Sequence, residues 1–338
     1  MRTHKVGLIG CGWVAPFHLA GLAKLGSRAQ IEWVADPLRE RAETIARGVG
    51  TQALTDYRLG LRGVDCVFVL VPSYLHHPVS LDCLNAGCHV LIEKPIATTV
   101  EQADEMIAAA DRNDKVLMVG YPHRYRKSIQ FFKQVVESGQ YGRPFMLDGL
   151  MEESLHGYAL GWIAKKETCG GGVFFSSSPH MLDVMLWIAG EVRTICMVGT
   201  HGGVPMEGED TAACVIKFKN GMIGVTRHTW ASRRTRIWYT MDAVCEKAHV
   251  TLTTIPLGDL FSKGERCPWS TRIVAVGKKE EILLESDEGL DFAPELAHFF
   301  DCVETGQNPQ TDGQMARELI ALVLGAYRKA DADGGNDD

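Results

Sequence analysis

The sequence predicts an α/β protein: an N-terminal doubly wound parallel sheet, then an α+β domain built on a large, mostly antiparallel open sheet. Three observations carry this. Over residues 1–122, short and wholly apolar runs alternate with longer amphipathic segments, as parallel strands covered by helices on both faces require. From residue 123 onward, strand-like runs are joined by short turns, the mark of antiparallel pairing. A Gly-x-Gly-x-x-Ala run also follows the first strand directly.

Taken in order, residues 6–9, 31–35, 66–71, 90–92 and 116–119 are brief, rich in Val, Ile and Leu, and read as strands, with a weaker one at 52–54. Segments 15–24, 38–47, 78–86 and 100–113 carry helical spacing. The last opens on Thr99-Val100-Glu101-Gln102, a capping box that satisfies first-turn N–H groups. In the second domain a helix at 125–138 leads to a strand at 145–151 and an irregular segment at 152–168. One helix is expected at 179–188, followed by strands at 194–199, 211–218, 222–229, 236–243, 249–252 and 272–276. Lys219-Asn220-Gly221 supplies a hairpin turn between two of them. Helices at 291–305 and 314–330 end the second domain, expected over 123–330, and the polar, glycine-containing tail 331–338 is expected to be disordered.

Composition narrows the function. The chain has 338 residues, 46% hydrophobic, enough for two cores. A net charge of −7 gives no basic footprint for nucleic acid or an anionic membrane, so a small-molecule partner is the default. No apolar run approaches the roughly 18 residues that cross a bilayer, and periodic structure begins at once, without a secretory leader, so a cytoplasmic protein is expected. Ten cysteines are scattered at 11, 66, 83, 88, 169, 196, 214, 245, 267 and 302, without a Cys-x-x-Cys pair. They read as reduced, mostly buried thiols, and no metal site is expected.

The first strand runs into Gly10-Cys11-Gly12-Trp13-Val14-Ala15. Gly10 permits a tight turn, Gly12 lets the backbone approach a pyrophosphate, and Ala15 lets the helix pack closely, with its N-terminal N–H groups facing the anion. The second strand ends at Asp36, at the distance expected of the acid that bonds ribose hydroxyls. This is a Rossmann dinucleotide site. A carboxylate repels a 2′-phosphate, so NAD is favoured over NADP, with Arg39 and Arg41 near enough to oppose that preference.

Strand five ends in Glu93-Lys94-Pro95. Ligands of such sheets sit beyond the carboxyl ends of the strands, which directs Lys94 at the nicotinamide, although a lysine there is otherwise an ordinary surface charge. Ser178-Pro179-His180 reads as an N-cap, a first-position proline and a first-turn histidine. A helix N-terminus disfavours imidazolium, which would keep His180 neutral and able to accept a proton, and Asp183, three residues on, would orient the ring.

Gly10-x-Gly12, Asp36, Val71-Pro72-Ser73-x-x-His76, Glu93-Lys94-Pro95 and Gly170-Gly171-Gly172…His180-x-x-Asp183 occur in an order that resembles the glucose–fructose oxidoreductase, inositol dehydrogenase and rhizopine-catabolism family, across nearly the whole chain. The resemblance implies hydride transfer between NAD(P) and a carbinol carbon of a sugar, polyol or glycoside. It further implies that Lys94 holds the reacting hydroxyl and His180 exchanges its proton. Pro72, Ser73, His76 and Glu93 would join Gly10, Gly12, Trp13, Val14, Ala15, Asp36 and Arg41 at the cofactor. Arg124 and Tyr125, within Gly120-Tyr121-Pro122-His123-Arg124-Tyr125, would border the substrate, and the open sheet would pair copies into a homodimer or homotetramer. Specificity is expected in 152–168, where His156, Tyr158, Trp162, Lys165 and Lys166 cluster.

One position departs from the family pattern. Ser176 stands where many members carry an aspartate four residues before the histidine, so a Lys–Asp–His scheme does not carry over. The expected activity is thus an NAD-dependent sugar or glycoside dehydrogenase acting on CH–OH. An NAD-using glycosidase that oxidises a ring hydroxyl transiently is the alternative, and a non-catalytic dinucleotide-responsive regulator is the third reading.

Overall fold

In the computed structural model, which describes residues 2–257, 269–287 and 289–332, strands and α-helices alternate over the first 120 residues, except for one consecutive pair of strands with no α-helix between them. The order is β1 (His4–Ile9), α1 (Ala15–Lys24), β2 (Ala29–Ala35), α2 (Arg39–Val49), β3 (Gln52–Leu54), β4 (Cys66–Val69), α3 (His76–Asn85), β5 (His89–Glu93), α4 (Val100–Arg112) and β6 (Leu117–Gly120). The six strands form one parallel sheet in the order β3-β2-β1-β4-β5-β6. Every residue of β4 and β6 is buried, as strands covered on both faces must be. The Thr99 hydroxyl accepts from Gln102 N–H at 3.2 Å and caps α4.

The second half continues through α5 (Lys127–Glu137), β7 (Pro144–Glu152), α6 (Lys166–Cys169), α7 (Val173–Ala189), β8 (Val192–Thr200), β9 (Thr211–Phe218), β10 (Ile223–Thr229), β11 (Tyr239–Cys245), β12 (His249–Pro256), β13 (Trp269–Val276) and β14 (Glu280–Ser286). These strands make a second sheet ordered β14-β13-β12-β11-β7-β10-β9-β8. Its pairings are antiparallel except for β7 with β10. Burial alternates along β9, β10 and β11, so one face is a core face and the other is open. The core face carries α7, which approaches so closely that a side chain on Gly149 would meet the Met181 sulfur at 2.5 Å.

The chain ends with α8 (Ala293–Thr305) and α9 (Gly313–Ala332). Residues up to Pro122 and Asp291–Ala321 form one compact unit, and His123–Leu290 with the residues from Leu322 form the other. This corrects the expectation that everything after residue 122 belongs to the second domain. The reason is packing: α8 lies on α1, where Gly21 leaves room for Leu296, Lys24 reaches Asp291 at 2.7 Å, and Phe299 meets Phe68 edge-on. Of the tail expected to be disordered, residues 331–332 end α9, and 333–338 lie outside the described residues.

Four strands differ from expectation as well: β12 runs on to Pro256 rather than ending at residue 252, and β13 starts at Trp269 rather than at residue 272. β14 was not anticipated: it lies at a sheet edge, none of its residues is buried, and three glutamates flank its short apolar run. The expected strand at 236–243 is shifted to Tyr239–Cys245. The larger difference is α7, which begins at Val173 rather than at residue 179 and encloses Pro179. Its first N–H groups are satisfied from afar. Phe174 N–H donates to Glu209 Oε1 at 3.0 Å, while the N–H groups of Gly172 and Phe175 donate to the Tyr327 hydroxyl at 3.2 and 3.1 Å. The Tyr327 hydroxyl in turn donates to Glu209 at 2.6 Å. Inside the helix the Ser178 hydroxyl donates to the Phe174 carbonyl.

Candidate active site

The first unit presents a nucleotide-binding edge. Gly10 adopts φ +99°, which L side chains rarely take, and a Cβ there would lie 2.5 Å from the Leu70 carbonyl oxygen. At Gly12 a Cβ would meet nothing within 4 Å, so the backbone faces open space where a pyrophosphate can approach. Trp13 is exposed beside Phe17, Val14 precedes α1, and Ala15 is fully buried at the first helical position. Asp36 Oδ2 accepts from Cys11 N–H at 3.0 Å and Oδ1 from Leu38 N–H at 2.9 Å. The carboxylate therefore ties the glycine loop to the start of α2 and keeps further lone pairs for ribose hydroxyls. Burial, and then the charge of Asp36, push the Cys11 thiol up to about 12, and the charge of Arg41 opposes them. These features fit a dinucleotide.

The side chains of two residues expected at the cofactor are engaged within the unit itself. The His76 ring lies between two carbonyls, Nδ1 2.6 Å from Pro95 O and Nε2 2.9 Å from Val71 O. Its side chain fastens the turn after β4, including Pro72 and the buried Ser73, to the turn that carries Lys94. Glu93 turns inward, and its Oε1 lies 2.7 Å from His18 Nε2 on α1. Burial would raise the Glu93 carboxyl, but the His18 hydrogen bond and charge hold it below its ordinary value. Both residues position Lys94, which stands between them at the end of β5, where a cis peptide joins it to Pro95. Their partners come from separate elements and cannot be read from local spacing.

The second unit presents α7. Of residues 173–185 all are buried except Ser176 and His180, which are half-exposed one turn apart on the same helix face. His180 is eight residues into the helix, so the expected influence of the helix N-terminus on its basicity falls away, since that influence is confined to the first turn. Asp183 does not serve as its orienter. Both carboxylate oxygens accept from Arg124 Nε, at 2.8 and 2.9 Å, and the pair is buried. Arg124, expected at the substrate, has its guanidinium on this carboxylate and over the Trp187 ring. Tyr125 is buried beside it in sequence.

What backs His180 is aromatic. The His123 ring centroid is 5.0 Å from that of His180, and His123 stacks on Trp238 and Tyr239 at 5.3 and 5.0 Å. Among the residues of 152–168, His156 Nε2 is 3.0 Å from the Ala231 carbonyl oxygen, and Trp162 is half-buried in a short turn of helix, its carbonyl accepting from Thr168. Sequence reasoning missed His123, Trp238 and Tyr239. The Gly120–Tyr125 segment was flagged for Arg124 and Tyr125, but nothing local couples His123 to Trp238 and Tyr239, more than a hundred residues away.

Among the described residues, no cluster of His, Cys, Asp and Glu is arranged to hold a metal ion, and no helix is long and apolar enough to cross a membrane. The described cysteines are free thiols, all buried except Cys196.

Comparison with known proteins agrees with this geometry. Residues 4–121 match the family described as "Oxidoreductase family, NAD-binding Rossmann fold", and residues 129–251 match the GFO/IDH/MocA C-terminal domain. D-glucoside 3-dehydrogenase of Escherichia coli (strain K12) is 31% identical over 238 residues, covering 65% of this chain and 68% of that protein. Myo-inositol 2-dehydrogenase of Thermotoga maritima is 25% identical over 342 residues, covering 96% and 95%. Levoglucosan dehydrogenase in complex with NADH has the same fold, with a TM-score of 0.84 at 18% identity over 98% of both chains. So does the WlbA dehydrogenase from Bordetella pertussis in complex with NADH and UDP-GlcNAcA, with a TM-score of 0.81 at 23% identity over 98% of both chains. The chain belongs to the GFO/IDH/MocA family of oxidoreductases, whose N-terminal domain is an NAD-binding Rossmann fold.

Proposed function

We propose that this protein is an NAD-dependent dehydrogenase that oxidises a secondary hydroxyl of a sugar, polyol or glycoside, or reduces the corresponding ketone. The observation that carries the reading is on α7: an otherwise buried helical stretch offers solvent only Ser176 and the proton-accepting ring of His180. In the oxidation direction His180 takes the hydroxyl proton, and the Lys94 ammonium stabilises the negative charge that develops on that oxygen. Bound NAD supplies the hydride acceptor at its nicotinamide ring. The glycine loop, Trp13, Val14, Ala15, Asp36 and Arg41 hold the dinucleotide, while His76 and Glu93 fix Lys94. The names of the relatives, a glucoside dehydrogenase and an inositol dehydrogenase, support a polyhydroxylated ring as substrate.

The open face of the second sheet carries exposed Val198, Val215 and Ile223, apolar area suited to a homodimer or homotetramer. Chemistry that cycles NAD draws on the cellular dinucleotide pool, which supports a cytoplasmic location.

The test is a panel of sugars, polyols and glycosides with NAD, following NADH absorbance and aglycone release together. Net NADH is the expected result. Aglycone release without NADH would replace this reading with redox-assisted cleavage. Lys94→Ala and His180→Asn should each lower turnover at least about a hundredfold, the scale of lost acid–base assistance. NADH binding should survive His180→Asn.

A further inference from the structure

We propose that Glu153 is a substrate-positioning residue that selects neutral, hydroxyl-rich substrates over anionic ones; the inference rests on the dehydrogenase reading above. Glu153 follows β7 directly, and its N–H donates to the Thr229 carbonyl at 2.9 Å. Its carboxylate is held by the indole N–H of Trp230 at 2.8 Å, the indole N–H of Trp238 at 3.3 Å and the Ser177 hydroxyl at 3.4 Å. Among the described residues each of these partners is neutral. A guanidinium in their place would cancel the charge, whereas indole N–H groups orient a carboxylate and leave its field intact.

The cluster is joined to His180 from two sides. Ser177 lies three residues before His180 on α7, and Trp238 stacks on His123, whose ring is 5.0 Å from that of His180. Glu153 is half-buried, reachable by a ligand yet fixed by the rings around it. An ionised carboxylate has about four lone-pair sites, and the three donors here leave capacity for a substrate hydroxyl. The same charge opposes a substrate that brings a carboxylate or phosphate to this side of the ring.

The test uses methyl β-D-glucopyranoside and the matching methyl β-D-glucuronide, which differ by a carboxylate at the exocyclic carbon. Wild type should favour the neutral glycoside by about tenfold or more in kcat/KM, the direction like-charge juxtaposition dictates. Glu153→Gln should shrink that preference at least about fivefold, mainly through KM. Trp238→Phe, which leaves the charge in place, should retain it. If the cluster were only a brace for the tryptophans, both variants would depress both substrates alike with the preference unchanged, and the inference would be overturned. A wild type that accepts the glucuronide as well as the glycoside overturns it too, whether or not Glu153→Gln folds. If wild type turns over neither sugar, the dehydrogenase reading fails for these rings. Calorimetric binding of each to the protein–NADH complex then reads the same ratio, and equal or undetectable binding counts against Glu153.

Discussion

Arg124 grips Asp183 with a forked contact: Nε donates to both carboxylate oxygens, and Nη2 lies 2.8 Å from Oδ1, with both residues buried. The pair ties the segment ahead of α5 to α7, one turn beyond His180. Arg124 and Lys133 also sit over the Trp187 ring at 5.3 and 5.0 Å, so that side of the helix is held by two cations. Burial raises the Asp183 carboxyl against the pull of Arg124, and the ion pair therefore depends on the guanidinium being present. Arg124→Leu should cost roughly 3–5 kcal/mol in chemical denaturation, the range for removing one partner of a buried pair, and Arg124→Leu/Asp183→Leu should recover at least half of it. A single-variant loss below about 1 kcal/mol would show that the pair does not hold α7.

His228 sets an acid limit on stability. It is fully buried on β10 with Phe174 edge-on to its ring, and neither ring nitrogen has a hydrogen-bond partner among the described residues. Burial pushes its pKa down to about 3. A folded-state value below the unfolded one means that the unfolded chain binds the proton first. Stability is therefore complete above about 6.5 and is lost as pH falls towards 3, by about 2 kcal/mol at pH 5. His228→Leu should flatten the dependence of the thermal midpoint between pH 6.5 and 4. An unchanged slope would assign the acid sensitivity to other groups.

Asp36 should decide the dinucleotide. Fluorescence titration is expected to give tighter binding of NADH than of NADPH by about tenfold or more, since a carboxylate at the ribose repels a 2′-phosphate. Asp36→Ser, which keeps an acceptor for Cys11 or Leu38, should narrow the gap, with Arg41 close enough to favour the phosphate. Equal affinities in wild type would mean that Arg39 and Arg41 outweigh the carboxylate.

Ser176 and His180 share the half-exposed face of α7, so a charge at the first should be felt at the second. Ser176→Asp is expected to stabilise imidazolium and raise the acidic apparent pKa of the rate profile, while Ser176→Ala costs less than about tenfold in turnover. The pH dependence of kcat/KM for the two variants reads this directly. An unmoved acidic limb with full activity would separate the two side chains.

The nucleotide edge was legible in the sequence because it is built from short-range chemistry. A strand, a turn that needs Gly10, an open backbone at Gly12 and a carboxylate at the end of the next strand all leave marks within about thirty-five residues. Lys94 was singled out by its place at the end of a strand together with the family resemblance, since a lysine there is by itself an ordinary surface charge. The start of α7 was not: Pro179 imitates a first helical position, while the groups that satisfy the true first turn, Glu209 and Tyr327, lie 35 and 152 residues from the N–H groups they accept. Segment 152–168 was expected to bear on specificity, but the aromatic residue and the histidine singled out there, Trp162 and His156, drew attention from Glu153. A glutamate next to a strand end has no local signature. Its meaning comes from two tryptophans that arrive with β10 and β11.

The central place of β7 also dictates when the second unit can be completed. β7 leaves the ribosome first among the strands of its sheet, but its neighbours start only at Ile223 and Tyr239. Until they are made, both of its edges carry bare N–H and C=O groups, the condition under which nascent chains pair wrongly. Nor is the helix bearing His180 finished when the sheet closes, because the hydroxyl that accepts from Gly172 and Phe175 belongs to Tyr327. The proposed catalytic helix therefore lacks its cap until residue 327 has been made, and a nascent chain stalled before Tyr327 would have both sheets yet lack that cap.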